Sequence, residues 1–135
     1  MTVSTAGTSL PSRITDIHVH IQPWRDLKPN VLEAMRKGKE DHWDFLLALM
    51  DDPQALLEIM DQAGVWRVGL VNYPSPDIMG FTDSTNAFSA RYAQADPTRL
   101  LPYGGVHPRF TTDPRGDVDH LVDLGIRLVK VHPNH

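Results

Sequence analysis

Four short aliphatic runs that alternate with helical patterns constrain the fold of this 135-residue chain most strongly. The runs cover residues 14–20, 65–72, 100–106 and 126–131. Such alternation is typical of βα units, in which consecutive strands lie parallel and side by side. The sequence therefore predicts an α/β fold whose parallel sheet keeps the strands in sequential order, with the helices on one face.

Three helical patterns between these runs carry clear start and stop signals. Asp52 followed by Pro53 predicts an N-cap with proline at the first helical position, and Gly64 ends that helix. Further helices are predicted at about 83–95 and 115–124. The apolar residues of the last helix are expected to face the sheet, and they are Val118, Leu121 and Val122.

The segment 21–51 is longer than a usual connection between a strand and a helix. It holds two predicted short helices, at about 30–37 and 41–50, and the tryptophans Trp24 and Trp43. Long loops after parallel strands often shape active sites, so a lid over a site is one interpretation of Trp24. Packing within the insertion is the other interpretation of Trp24, and it is the one we favour for Trp43.

The first run places two histidines two residues apart. His18 and His20 then share one face of a strand with Asp16, while Ile17 and Val19 share the opposite face, which is expected to meet helices. Neutral imidazole is a ligand common to zinc, iron and nickel sites. The pair His18 and His20 is therefore a candidate metal site.

Two more histidines follow later strands. His107 and His132 each precede a proline at the end of a run, and Lys130 shares a face with His132. Proline is also an ordinary signal for the end of a strand, so a site role and a structural role both stay open for His107 and His132. Arg109 could bind an anionic group or lie in a solvated loop.

Together these segments resemble the amidohydrolase superfamily, and most closely its amidohydrolase 2 (amidohydrolase-related) family. The resemblance runs from about Arg13 to the last residue and covers the N-terminal half of such a protein. It implies a TIM-like (β/α)8 barrel of which about the first four βα units are present. The motifs that carry it are Asp16-Ile17-His18-Val19-His20, Gly105-Val106-His107-Pro108 and Val129-Lys130-Val131-His132-Pro133.

A complete barrel usually takes about 250 residues. With 135 residues, the chain is expected to be half of a barrel: a truncated gene model, a fragment or a severely deleted relative. An N-terminal tail at residues 1–12, rich in Ser and Thr, is predicted to be disordered and is not a signal peptide. Residues 13–135 are expected to form the barrel half as one domain.

The resemblance also implies a chemistry. His18 and His20 would bind one divalent metal ion, zinc first and manganese or iron as alternatives, and the metal would activate water to attack an amide, ester or lactone carbon. The third histidine and the general-base aspartate of the family lie on strands five and eight, so the catalytic residues are expected beyond residue 135. In other branches a lysine at the position of Lys130 is carboxylated and bridges two metals, whereas this branch is generally mononuclear. A buried amine would also suit a substrate carboxylate.

Two alternatives to the hydrolase stay open. One is a non-oxidative decarboxylase, a lyase of the same fold. The other is a non-catalytic remnant or interaction module, which the reading frame beyond His135 would help to distinguish. Self-association into a homo-oligomer is also open.

Charge and composition limit the partners. The net charge of −4 and the pI near 5.9 argue against nucleic acid and anionic membrane surfaces, which need a basic face. The absence of cysteine excludes disulfides and thiolate metal sites. Because the sequence has no signal peptide and no run of membrane-spanning length, a cytoplasmic location is expected. The resemblance implies a small-molecule substrate.

Overall fold

The computed structural model describes residues 13–132 and contains a curled, four-stranded parallel sheet. The strand order is sequential and every neighbouring pair is parallel, so the predicted topology is confirmed. The predicted tail at residues 1–12 lies outside the described residues, as does Pro133 of the third motif. The strands are β1 (Ile14–Val19), β2 (Val65–Leu70), β3 (Leu100–Gly104) and β4 (Leu128–Val129).

Five α-helices lie within residues 13–132, together with single 3-10 turns at Trp24–Asp26 and Glu40–His42. None of these helices is long and apolar enough to cross a lipid bilayer. The helices are α1 (Pro29–Arg36), α2 (Trp43–Asp51), α3 (Pro53–Gln62), α4 (Ser84–Ala93) and α5 (Pro114–Asp123).

The start and end of α3 follow the sequence signals. The Asp52 carboxylate accepts hydrogen bonds from the backbone N–H groups of Gln54 and Ala55, at 3.0 and 3.2 Å. Gly64 follows the helix with a backbone φ of 68°, a conformation that residues with a Cβ atom rarely adopt. Because β2 begins at Val65, this turn directs the chain straight back into the sheet.

The main core lies between the helices and one face of the sheet. Val68, Leu70 and Leu100 are buried on that face, and the insertion before α3 adds a second layer. Within it the Trp24 and Trp43 rings stack with their centroids 5.5 Å apart. The insertion therefore packs as part of the core.

Two predictions about inward-facing residues are wrong in part. In α5 only Leu121 is buried, because it alone joins the small cluster with Ala90 and Ile126, whereas Val118 and Val122 are exposed. On β1, Val19 packs on the core but Ile17 is 65% exposed. β1 is an edge strand, and no described helix covers it at Ile17.

Candidate metal and substrate site

The histidine pair lies where β1 ends. The Nε2 atoms of His18 and His20 are 3.0 Å apart, and their ring centroids are 4.9 Å apart. The Asp16 carboxylate accepts the backbone N–H of His18 at 2.9 Å, which fixes the chain just before the pair. Alternation along β1 thus brings the two imidazoles together, as predicted from their spacing.

The separation of the two nitrogens suits two ligands of one metal ion. Two nitrogens bound tetrahedrally to zinc at its usual bond length are about 3.3 Å apart. The 3.0 Å contact also has the length of an N–H···N hydrogen bond, whose donor depends on the tautomers of the two rings. No group of three or more His, Cys, Asp or Glu residues suited to a metal occurs within residues 13–132. The pair offers two nitrogen donors, whereas zinc in proteins takes about four ligands.

Local electrostatics favour the neutral form of His20. Partial burial lowers the pKa of its imidazole, and the nearby charges of His18 and Lys130 lower it further, against a hydrogen bond with Gln22 that raises it. Since the ring binds a metal only when it is neutral, the lowered pKa favours the form of His20 that can act as a ligand.

The end of β4 brings Lys130 and His132 to the same edge of the sheet. Lys130 is partly buried, and its backbone N–H donates to the Gly104 carbonyl at 2.8 Å. The His132 ring lies against the Tyr73 ring, which follows β2, with centroids 5.3 Å apart. Burial raises the pKa of the Tyr73 phenol, so the hydroxyl stays protonated at neutral pH.

Gly105, which follows β3, lies close to the chain that follows β2 on one side and the chain that follows β4 on the other. A Cβ atom at Gly105 would lie 2.8 Å from the Lys130 carbonyl oxygen and 3.1 Å from the Tyr73 Cα. Both neighbours are backbone atoms, which cannot move independently of the sheet. The sequence analysis did not identify Tyr73 and Gly105 as site residues. Tyr73 follows a predicted strand, and Gly105 is the first residue of the motif that contains His107.

His107 is a buried residue of the loop that follows β3. Its Nδ1 accepts the backbone N–H of Arg109 at 3.2 Å, so the proton of the neutral ring lies on Nε2. That Nε2 is buried without a hydrogen-bond partner in the described part of the chain. The ring packs edge-on against Phe110. Within residues 13–132, no hydrogen bond or ring contact joins His107 to the histidine pair.

The structure places Arg109 and Trp24 away from this arrangement. Arg109 forms a 3.0 Å ion pair with Asp77 and is largely exposed, which agrees with a solvated loop residue. Trp24 is 6% exposed and stacks on Trp43 in the core. Contacts thus connect His18 with His20 and Tyr73 with His132, while Lys130 acts on His20 through its charge.

The fold and the site together define an α/β chain with a candidate two-histidine metal site at the C-terminal edge of a parallel sheet. No protein-family model, curated protein or solved structure matches the chain.

Proposed function

We propose that this chain is the N-terminal half of a metal-dependent hydrolase similar to the amidohydrolase-related family. The observation that carries the proposal is the convergence of the His18 and His20 Nε2 atoms where β1 ends. The curled sheet with sequential parallel strands supports it, because active sites of (β/α)8 barrels lie at the C-terminal ends of the strands.

In this proposal His18 and His20 hold one divalent ion, zinc by preference. Bound zinc would supply Lewis acidity and an activated water for hydrolysis of an amide, ester or lactone. The residues of this chain prepare the site: the Asp16 carboxylate accepts the backbone N–H of His18, and desolvation together with nearby positive charges lowers the pKa of the His20 imidazole. The remaining ligands and the general base lie, in this proposal, on later strands.

Zinc titration of the 135-residue chain tests the proposal. We expect one weak equivalent, measured by competition with a chromophoric chelator, and its loss when His18 and His20 are both changed to alanine. The fold should survive, because both side chains lie at the exposed end of an edge strand.

A matched control removes two other histidines. His42 and His120 are exposed, and changing both to alanine should leave zinc binding unchanged. Zinc binding that persists without His18 and His20, or that falls equally in the control, would refute the assignment.

A further inference from the structure

The histidine pair offers a metal ion only part of the donor set that it needs. The Nε2 atoms of His18 and His20 are 3.0 Å apart, and together they provide two nitrogens. Zinc in proteins takes about four ligands. Between residues 13 and 132, no group of three His, Cys, Asp or Glu residues is arranged to hold a metal. A zinc ion at the pair therefore has coordination positions left for donors that these residues do not supply.

Both imidazoles are accessible to a molecule that approaches from outside the chain. His18 and His20 are exposed, although they are only two residues apart on a strand of a sheet. The strand β1 lies at the edge of that sheet and pairs only with β2 among the described strands. No described strand therefore covers the outer edge of β1, and a large partner can approach the pair there.

A second copy of this chain carries the donors that the site lacks. It presents two more imidazole nitrogens, with the same spacing and on the same accessible strand. Imidazole is a ligand well suited to zinc, whereas water and carboxylate are better suited to harder ions. The same strand also exposes Ile14 and Ile17, and burial of these side chains against a second copy is favourable.

We infer that one zinc ion joins two copies of this chain, with His18 and His20 of each copy as its four ligands. The inference rests on the proposed function for metal binding by the histidine pair. In the 135-residue chain, a second copy takes the place of donors from later strands. Each copy carries a net charge of −4, which opposes association of two copies, and a shared dication offsets part of that repulsion.

Sedimentation velocity of the 135-residue chain, with zinc or with EDTA, tests the inference. Association through the open sheet edges needs no metal, so it occurs in both samples and the comparison isolates the effect of zinc. We expect zinc to lower the dissociation constant of the dimer by about tenfold or more, because an ion that binds only the dimer with its full ligand set stabilises the dimer.

The ratio of zinc to protein gives a sharper readout than a single zinc concentration. The dimer should be most abundant near one zinc ion for two chains, where each ion is shared. In excess zinc each histidine pair holds its own ion, so the dimer should decline. A role of zinc as a general precipitant predicts the opposite, since association then keeps rising with the zinc concentration.

Three variants assign the effect of zinc to the histidine pair. Changing both His18 and His20 to alanine should abolish it. His20→Gln alone leaves one imidazole in each copy, and it should give the same loss if the double variant does not fold. The matched control changes the exposed His42 and His120 to alanine and should keep the zinc-dependent dimer.

The outcomes separate this inference from the proposed function. Zinc that binds at the histidine pair without any change in sedimentation refutes only the shared site. A zinc-dependent dimer that persists without His18 and His20, or that grows steadily in excess zinc, also overturns the shared site. Absence of zinc binding to the parent chain overturns both the metal site of the proposed function and the dimer built on it.

Discussion

Gly105 is the residue on which the spacing of the candidate site depends most directly. The atoms nearest to a Cβ at this position belong to Lys130, Pro74 and Tyr73, from the ends of β4 and β2. Gly105→Ala should lower the free energy of unfolding by about 1–3 kcal/mol, because a methyl group forced into close-packed backbone displaces it. Urea denaturation measures this change. A variant as stable as the parent would show that the two strand ends can separate without cost.

Single residues of the site differ in how far the sequence could predict them. His18 and His20 were predictable, because period-two alternation along a strand is a local property. The surroundings of Arg109 and Trp24 were not, because their partners Asp77 and Trp43 come from other parts of the chain. The pairing of Tyr73 with His132 is likewise a consequence of the sheet and not of local spacing.

At the scale of elements, the clearest prediction concerns the N-terminus of α3. Asp52→Ala removes the acceptor of two backbone N–H groups, at Gln54 and Ala55. We expect a loss of about 1 kcal/mol, the usual cost of losing such a cap. The urea midpoint reports it, and Glu58→Ala, which removes an exposed carboxylate from the middle of the same helix, is the control. Equal midpoints for the two variants would contradict the capping role.

The positions of the elements could be predicted well because their signals are local. Caps, helix-stopping glycines and hydrophobic periodicity located each helix to within a few residues. The buried face of α5 was predicted poorly, because Val118 and Val122 have the apolar character of core residues but find no partner among the described elements. Apolar character shows that burial of a side chain would be favourable. Actual burial also requires a neighbouring surface to cover that side chain.

At the scale of the whole molecule, the topology of the sheet followed from the order of the elements. Parallel βα units constrain neighbouring strands to be consecutive, and the structure has this order. Closure into a barrel is a different kind of property, because it depends on strands beyond β4. The four described strands form a curled sheet in which β1 and β4 each pair on one side only.

Those two edge strands lead to a prediction about association. Ile17 on β1 and Val129 on β4 are exposed, and each strand also has a row of backbone groups available for pairing. We expect the 135-residue chain to self-associate, since burial of one large aliphatic side chain contributes about 1.5–3 kcal/mol. Light scattering over a range of concentrations measures this association.

Changing both Ile17 and Val129 to lysine should shift the chain toward monomer, because lysine on an edge strand opposes pairing. Phe45→Lys is the control, since it removes an exposed apolar residue from the helix α2 and not from an edge strand. Association that is equally reduced by the control would indicate a general effect of surface charge. A monodisperse parent monomer with a sharp thermal transition would show that the open sheet edges are stable in water by themselves.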